Sequence, residues 1–140
     1  MNKTETKFKK ICDKNNWFSI KLNTHNINGF GYDQVSDFLV ANNNGVYVIE
    51  CKERKGKYFY LKDLTQSLQM KKLIKKSNRL KPYILLNYYE YNKLYLFSFQ
   101  SLEIIKLNNK FSNGKIKKGF NYKDIPNGYL IDWNDINKVL

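Results

Sequence analysis

Histidine and cysteine are scarce in this chain, and their scarcity removes whole classes of chemistry. His25 is the only histidine and falls in a polar stretch, so proton relays built on imidazole have no support. Zinc sites want several Cys or His at short spacing, and Cys12 and Cys51 stand far apart. Cys51 has no evident His partner as a nucleophile and reads as a buried structural thiol. No secretory signal precedes the two cysteines, so reduced thiols and a cytoplasmic protein are expected. No apolar run approaches the roughly 18 residues of a membrane span. Acidic residues are few as well: 12 Asp and Glu against 25 Lys and Arg leave a net charge of +13. Such an excess calls for an anionic partner, nucleic acid ahead of any membrane surface.

What is present suffices for a core. The 140 residues suit one domain, 1–140, and 42% hydrophobic content with 16% aromatics argues against disorder. No repeat or linker composition divides the chain. Phe8, Ile11 and Cys12 give a helical face over Glu5 to Asn15, with Thr4 as the expected cap. Trp17 to Leu22 reads as a strand and Asn23 to Tyr32 as a loop. Lys62 to Leu80 is the strongest helix pattern. Tyr83 to Tyr88 and Leu94 to Phe99 read as strands joined at Glu90–Asn92. Ser101 to Leu107 is a weaker helix, Asn108 to Asn121 a Gly- and Lys-rich loop, and Tyr129 to Trp133 a short strand. This order predicts an α/β fold with a mixed central sheet flanked by helices.

The chemistry concentrates between Asp37 and Lys52. Val35 to Val40 and Val46 to Glu50 are apolar runs separated by Asn42-Asn43-Asn44-Gly45, the pattern of two strands and a tight hairpin turn. Strand alternation sets Glu50 and Lys52 on one face and turns Cys51 away. Folding the second strand back brings Asp37 toward Glu50, so two carboxylates and an ammonium are expected to converge at a sheet edge. Oxygen ligands in that arrangement suit Mg²⁺ or Mn²⁺. An E-x-K triplet alone is often just a charged strand end. Here, though, an Asp in a buried-looking run needs a partner against its desolvation cost, and a metal or Lys52 is expected to supply one.

Taken together, Asp37, Glu50-Cys51-Lys52, Glu5 in the first helix and Gln66 ahead of a basic helix resemble the PD-(D/E)xK nuclease superfamily. Ser36-Asp37 stands for its Pro-Asp and Glu50-Cys51-Lys52 for its E-x-K, which implies a restriction-endonuclease-like fold. Asp37-Phe38, the thirteen-residue step to Glu50, the Gln66-x-x-x-Met70 segment and the strand Tyr83-Ile84-Leu85-Leu86 are similar to the RecU-type Holliday-junction resolvases. The stalk of those proteins is shortened here to about Asn23–Tyr32.

The resemblance implies a homodimeric, metal-dependent endodeoxyribonuclease that nicks branched DNA, foremost four-way junctions, in recombination and repair. One or two Mg²⁺ or Mn²⁺ per site would be held by Asp37, Glu50 and the Cys51 backbone carbonyl, with Glu5 serving a second metal or its water shell. Lys52 would orient or help deprotonate the attacking water, and Gln66 would bridge water or phosphate. Lys71, Lys72, Lys75, Lys76 and Arg79, with Lys55 and Lys57, would follow the DNA backbone, as would Lys115 to Lys118. Tyr58, Tyr60, Phe30 and Tyr32 are candidates for stacking on unpaired bases. Other readings are a structure-selective or non-specific nuclease of the same fold, and a nucleic-acid-binding protein without catalysis.

Overall fold

The computed structural model describes residues 1–22, 26–27, 30–31, 37–63 and 67–140, with the backbone alone at 26–27, 30–31 and 67–69. Gln66, His25, Tyr32, Asp33 and Ser36 lie outside the described residues. So does most of the 23–32 loop, of which Asn26–Ile27 (β2) and Phe30–Gly31 (β3) pair as a two-stranded ladder.

Helix α1 (Lys3–Lys14) buries Thr4, Phe8 and Cys12, a four-residue spacing that keeps one stripe against the sheet. Asn2, not Thr4, is its cap: Asn2 Oδ1 accepts from the Glu5 N–H at 2.8 Å. Thr4 is instead drawn inward, and its hydroxyl donates to Glu53 Oε2 at 3.1 Å. Strand β1 (Phe18–Lys21) follows and pairs antiparallel with β4 (Phe38–Asn42).

The hairpin from β4 into β5 (Gly45–Arg54) forms as the pattern requires. Phe38 pairs with Ile49 and Asn42 with Gly45, and Asn42 Oδ1 accepts from the Asn44 N–H to close the turn. β5 then pairs in parallel with β7 (Leu80–Tyr88), from Val46–Leu80 through Arg54–Tyr88. β8 (Lys93–Ser98) returns antiparallel to β7, and β10 (Leu130–Ile131) pairs with β8. The result is a mixed six-stranded sheet in the order β1-β4-β5-β7-β8-β10.

Alternation along these strands builds two cores. Phe38, Val40, Ile49, Cys51 and Leu85 pack under α1 and the short C-terminal α4 (Ile136–Val139). Ile84, Leu86, Tyr88 and Phe97 face the opposite layer, with Met70 of α2 (Ser67–Lys76), Leu102 and Ile105 of α3 (Ser101–Asn108), and a ribbon of β6 (Tyr58–Tyr60) on β9 (Gly119–Asn121). Helices thus flank both faces of the sheet, as expected.

Three elements depart from the sequence expectation. The long helix over Lys62–Leu80 is a 3₁₀ turn at Leu61–Asp63 and a helix that ends at Lys76. Leu80 and Lys81 belong to β7 because Pro82 follows, and a residue before proline favours extended backbone. The Asn108–Asn121 loop contains β9 and a Lys110–Ile116 bridge. Tyr58–Tyr60 is a strand because its partner lies far along the chain, a pairing that no local pattern contains. Both cysteines are free and buried. Among the described residues no helix is long and apolar enough to cross a membrane.

Candidate active site

Asp37 sits one residue before β4, so the hairpin register carries it to the level of Glu50 on the neighbouring strand. Its backbone N–H donates to the Ile49 carbonyl at 3.0 Å, and its carbonyl accepts from the Leu22 N–H at 2.7 Å. The main chain on both sides therefore fixes the side chain. Asp37 Oδ2 accepts from the Cys51 N–H at 2.8 Å, and Lys21 Nζ donates to Oδ1 at 3.1 Å. A metal or Lys52 was the expected partner of Asp37, and the cation the structure shows on it is Lys21. Lys52 Nζ lies 3.2 Å from Glu50 Oε1 instead, as two residues on the same face of one strand can.

Glu50 is the most unusual of these groups. It is 1% exposed, and its Oε2 is buried without a hydrogen-bond partner among the described residues. Burial, then the nearby Asp37 charge, pushes its pKa up to about 7, with Lys52 and Lys21 pulling the other way. Since β5 lies between β4 and β7, Glu50 stands inside the sheet rather than at an edge strand. The side chains that lead outward are those of Lys52, 20% exposed, and Lys21, 25% exposed.

Lys21 is the residue that sequence reasoning missed. Besides Asp37 it holds Glu5 Oε2 at 3.3 Å, which ties α1 to the hairpin. Burial works to lower the Lys21 pKa, but the Asp37 and Glu5 carboxylates outweigh it, and the net direction is upward. The signal was a lysine closing the apolar run Trp17–Leu22, legible only once β1 is known to pair with β4. Glu5 therefore joins the cluster through Lys21. The contact the structure shows for Cys51 is its N–H on Asp37, while its thiol is buried and pushed well above its usual range, first by desolvation.

Among the described residues, no three His, Cys, Asp or Glu side chains converge as a metal cluster. The carboxylates that act on one another here are Asp37 and Glu50. A cation nonetheless fits their chemistry: Oε2 of Glu50 is orphaned in a buried setting, and the mutual repulsion of the two carboxylates is what a cation relieves.

The pattern of the nuclease-related domain (NERD) matches residues 2–118. The chain belongs to the nuclease-related domain family. This NERD fold is similar to that of Archaeoglobus fulgidus Hjc, a Holliday junction resolvase from an archaeal hyperthermophile, with a TM-score of 0.60 and 14% identity, covering 95% of this chain and 96% of that one. That likeness is one of fold. No curated protein matches the sequence.

The basic residues expected to bind DNA are exposed on several elements. Lys71, Lys72, Lys75 and Lys76 are exposed on α2, whose Met70 and Ile74 face the core. Arg79 is exposed in the bend after that helix, and Lys55 and Lys57 are exposed beyond β5. Lys81 is at the hairpin end of the sheet, its Nζ 3.1 Å from the Asn44 carbonyl.

Proposed function

We propose that this NERD protein is a divalent-metal-dependent endodeoxyribonuclease acting on branched DNA, with the four-way junction as its leading substrate. The observation that carries the reading is the buried Glu50 carboxylate, one oxygen orphaned, beside Asp37 and 3.2 Å from Lys52. A purely structural acid at that depth would have both oxygens satisfied or be replaced by an apolar residue. Family membership supports nuclease chemistry, and the resolvase fold of Hjc favours branched DNA over linear duplex.

Asp37 and Glu50 would hold the metal, with the Cys51 carbonyl and Glu5 as further candidates for its coordination or water shell. When bound, Mg²⁺ or Mn²⁺ supplies Lewis-acid polarisation of the phosphate and a more acidic water. The chain's own residues do the rest. The Cys51 N–H and Lys21 orient the Asp37 carboxylate. Lys52, on the outward side of Glu50, positions the water that attacks phosphorus and offsets the charge that grows on the phosphoryl oxygens as the P–O bond to the leaving sugar oxygen breaks. The exposed lysines of α2 provide backbone contacts without sequence preference. Paired nicks across a junction require two such sites, and hence a homodimer.

The test compares a four-way junction with flap, linear duplex and single-stranded DNA, in Mg²⁺, in Mn²⁺ and in chelator, for wild type and Asp37→Ala. Paired junction nicks that vanish with chelator and with Asp37→Ala are expected. Equal cutting of duplex would keep a nuclease and remove the junction preference. Salt-sensitive binding with no metal-dependent cleavage of any substrate would leave a binding protein on a nuclease fold.

A further inference from the structure

The β6–β9 ribbon turns an aromatic face outward that the core does not use. Phe59 points in, buried and stacked on Phe120 at 6.5 Å. Tyr58 and Tyr60, on the other face, are 47% and 42% exposed, and their rings stack at 6.3 Å with 28° between planes. Gly119 is cross-strand from Tyr60, and a Cβ there would come within 2.8 Å of the tyrosine ring. Only glycine lets that ring lie flat across the ribbon.

A second aromatic stands beside it. Phe111, 54% exposed, is presented by a small hairpin closed by the Phe111 N–H on the Lys115 carbonyl and by the Lys110–Ile116 bridge. The buried Asn109 anchors that hairpin, its amide donating to Ile105 and Asp124 carbonyls. Tyr58 and Phe111 line one cleft of about 500 Å³ together with Lys117, Lys118 and Lys123. Cations also sit over the rings: Lys117 lies 5.9 Å from Phe111 and Lys62 lies 5.7 Å from Tyr60. The acid in this cleft, Asp124, is engaged in capping, its Oδ2 accepting from the Asn121 N–H at 2.9 Å.

Exposed rings held on rigid backbone, each flanked by lysine, match the chemistry of a strand whose bases are unstacked: π-faces for the rings and phosphates for the ammonium groups. Duplex DNA offers the phosphates but hides its base faces. The position also suits a substrate leaving the active site. Glu50, Lys52 and Arg54 share one face of β5. The Arg54 guanidinium lies 5.8 Å from the Phe59 ring and pairs with Asp63 at 2.9 Å, so it braces the ribbon against the catalytic strand. Four residues of strand separate Glu50 from Arg54, about 13 Å at strand rise.

We infer that the outer face of this ribbon, Tyr58, Tyr60 and Phe111 with Lys117, Lys118 and Lys123, binds a single-stranded segment of DNA by base stacking. It gives the proposed nuclease a hold on the single-stranded arm of a flap-type branched substrate, an arm that a fully paired four-way junction does not have. The inference rests on the DNA-directed reading above but is tested apart from cleavage.

Binding of fluorescein-labelled oligo-dT and of a blunt hairpin duplex is followed by anisotropy in chelator, where nothing is cut. Tyr58→Ala, Tyr60→Ala and Phe111→Ala are each expected to weaken oligo-dT binding about tenfold, about 1.4 kcal/mol. Duplex binding should change less than twofold. Tyr58→Phe and Tyr60→Phe, which keep the ring, should bind oligo-dT as wild type does. Because these side chains are exposed, the alanine variants should melt within a few degrees of wild type. Wild-type affinity for oligo-dT in the alanine variants overturns the inference, as does an equal loss on duplex, which would mark a general phosphate surface. If these variants lose single-strand affinity while wild type cuts nothing with Mg²⁺ or Mn²⁺, the surface stands and the nuclease reading falls.

Discussion

Lys21 Nζ lies 3.1 Å from Asp37 Oδ1, across two strands that pair antiparallel at Lys21–Phe38. The same nitrogen reaches Glu5 at 3.3 Å, so one lysine offsets two acids from two other elements. Its side chain is 25% exposed and that of Asp37 is 11%, which makes the pair stronger than a surface bridge and weaker than a fully buried one.

Lys21→Met removes that compensation while keeping the length of the apolar stem. At pH 7 it should cost about 1–3 kcal/mol in urea unfolding, since Asp37 and Glu5 lose the ammonium they share. An unchanged urea midpoint would show that Asp37 and Glu5 do not depend on Lys21.

Glu50 has a folded pKa of about 7, above its ordinary value, so the folded state holds a proton that the unfolded state releases. Between roughly pH 4.5 and 7 this group therefore lowers stability as pH rises. Without metal, Glu50→Gln should stabilise the protein at pH 8 by up to about 3 kcal/mol, and by little at pH 4. A chelator-treated melting series for both proteins reads the difference directly. Destabilisation at pH 8 would mean that the charged carboxylate is satisfied in the fold.

Divalent cation should act in the opposite sense. Mg²⁺ or Mn²⁺ competes with that proton, so it should raise Tm more at pH 8 than at pH 5.5. Asp37→Asn should remove most of the shift. An equal shift in wild type and variant would place the cation elsewhere.

Lys52→Ala separates catalysis from metal holding. The cleavage rate should fall about 10²–10³-fold, the scale of losing one preorganised donor to developing charge. The metal-induced Tm shift should persist, because the carboxylates remain. Loss of both together would make Lys52 a structural partner of Glu50 only.

Replacing Lys71, Lys72, Lys75 and Lys76 with Gln should weaken duplex binding uniformly across sequences. The log–log salt slope should flatten by about 0.9 for each phosphate contact removed. The residues are exposed, so Tm should hardly move. An unchanged slope would assign α2 to a solvated face.

Some of this was legible without coordinates because it depends on neighbours in sequence. The turn Asn42–Gly45 and the alternation of Val46 to Lys52 dictate a hairpin, and a hairpin of that register brings Asp37 to Glu50. The apolar stripe of Phe8 and Cys12 likewise determines that α1 packs on the sheet. Local pattern overran at Lys62–Leu80, where leucine spacing looked helical past the point at which Pro82 imposes strand. It also left Tyr58–Tyr60 unassigned, because three residues become a strand only when a distant partner supplies hydrogen bonds.

Charge pairing followed the same division. The sequence by itself determined which acids and lysines exist, their alternation on each strand, and a cationic excess suited to DNA. Only the tertiary structure decided which group meets which: Lys21 rather than Lys52 for Asp37, Asn2 rather than Thr4 for the helix end, and, among the described residues, no partner for one oxygen of Glu50. The reason is physical. Backbone periodicity is set by residues a few positions apart, whereas burial and Coulomb interaction depend on distances through space, which exist only once β1, β4 and β5 have paired.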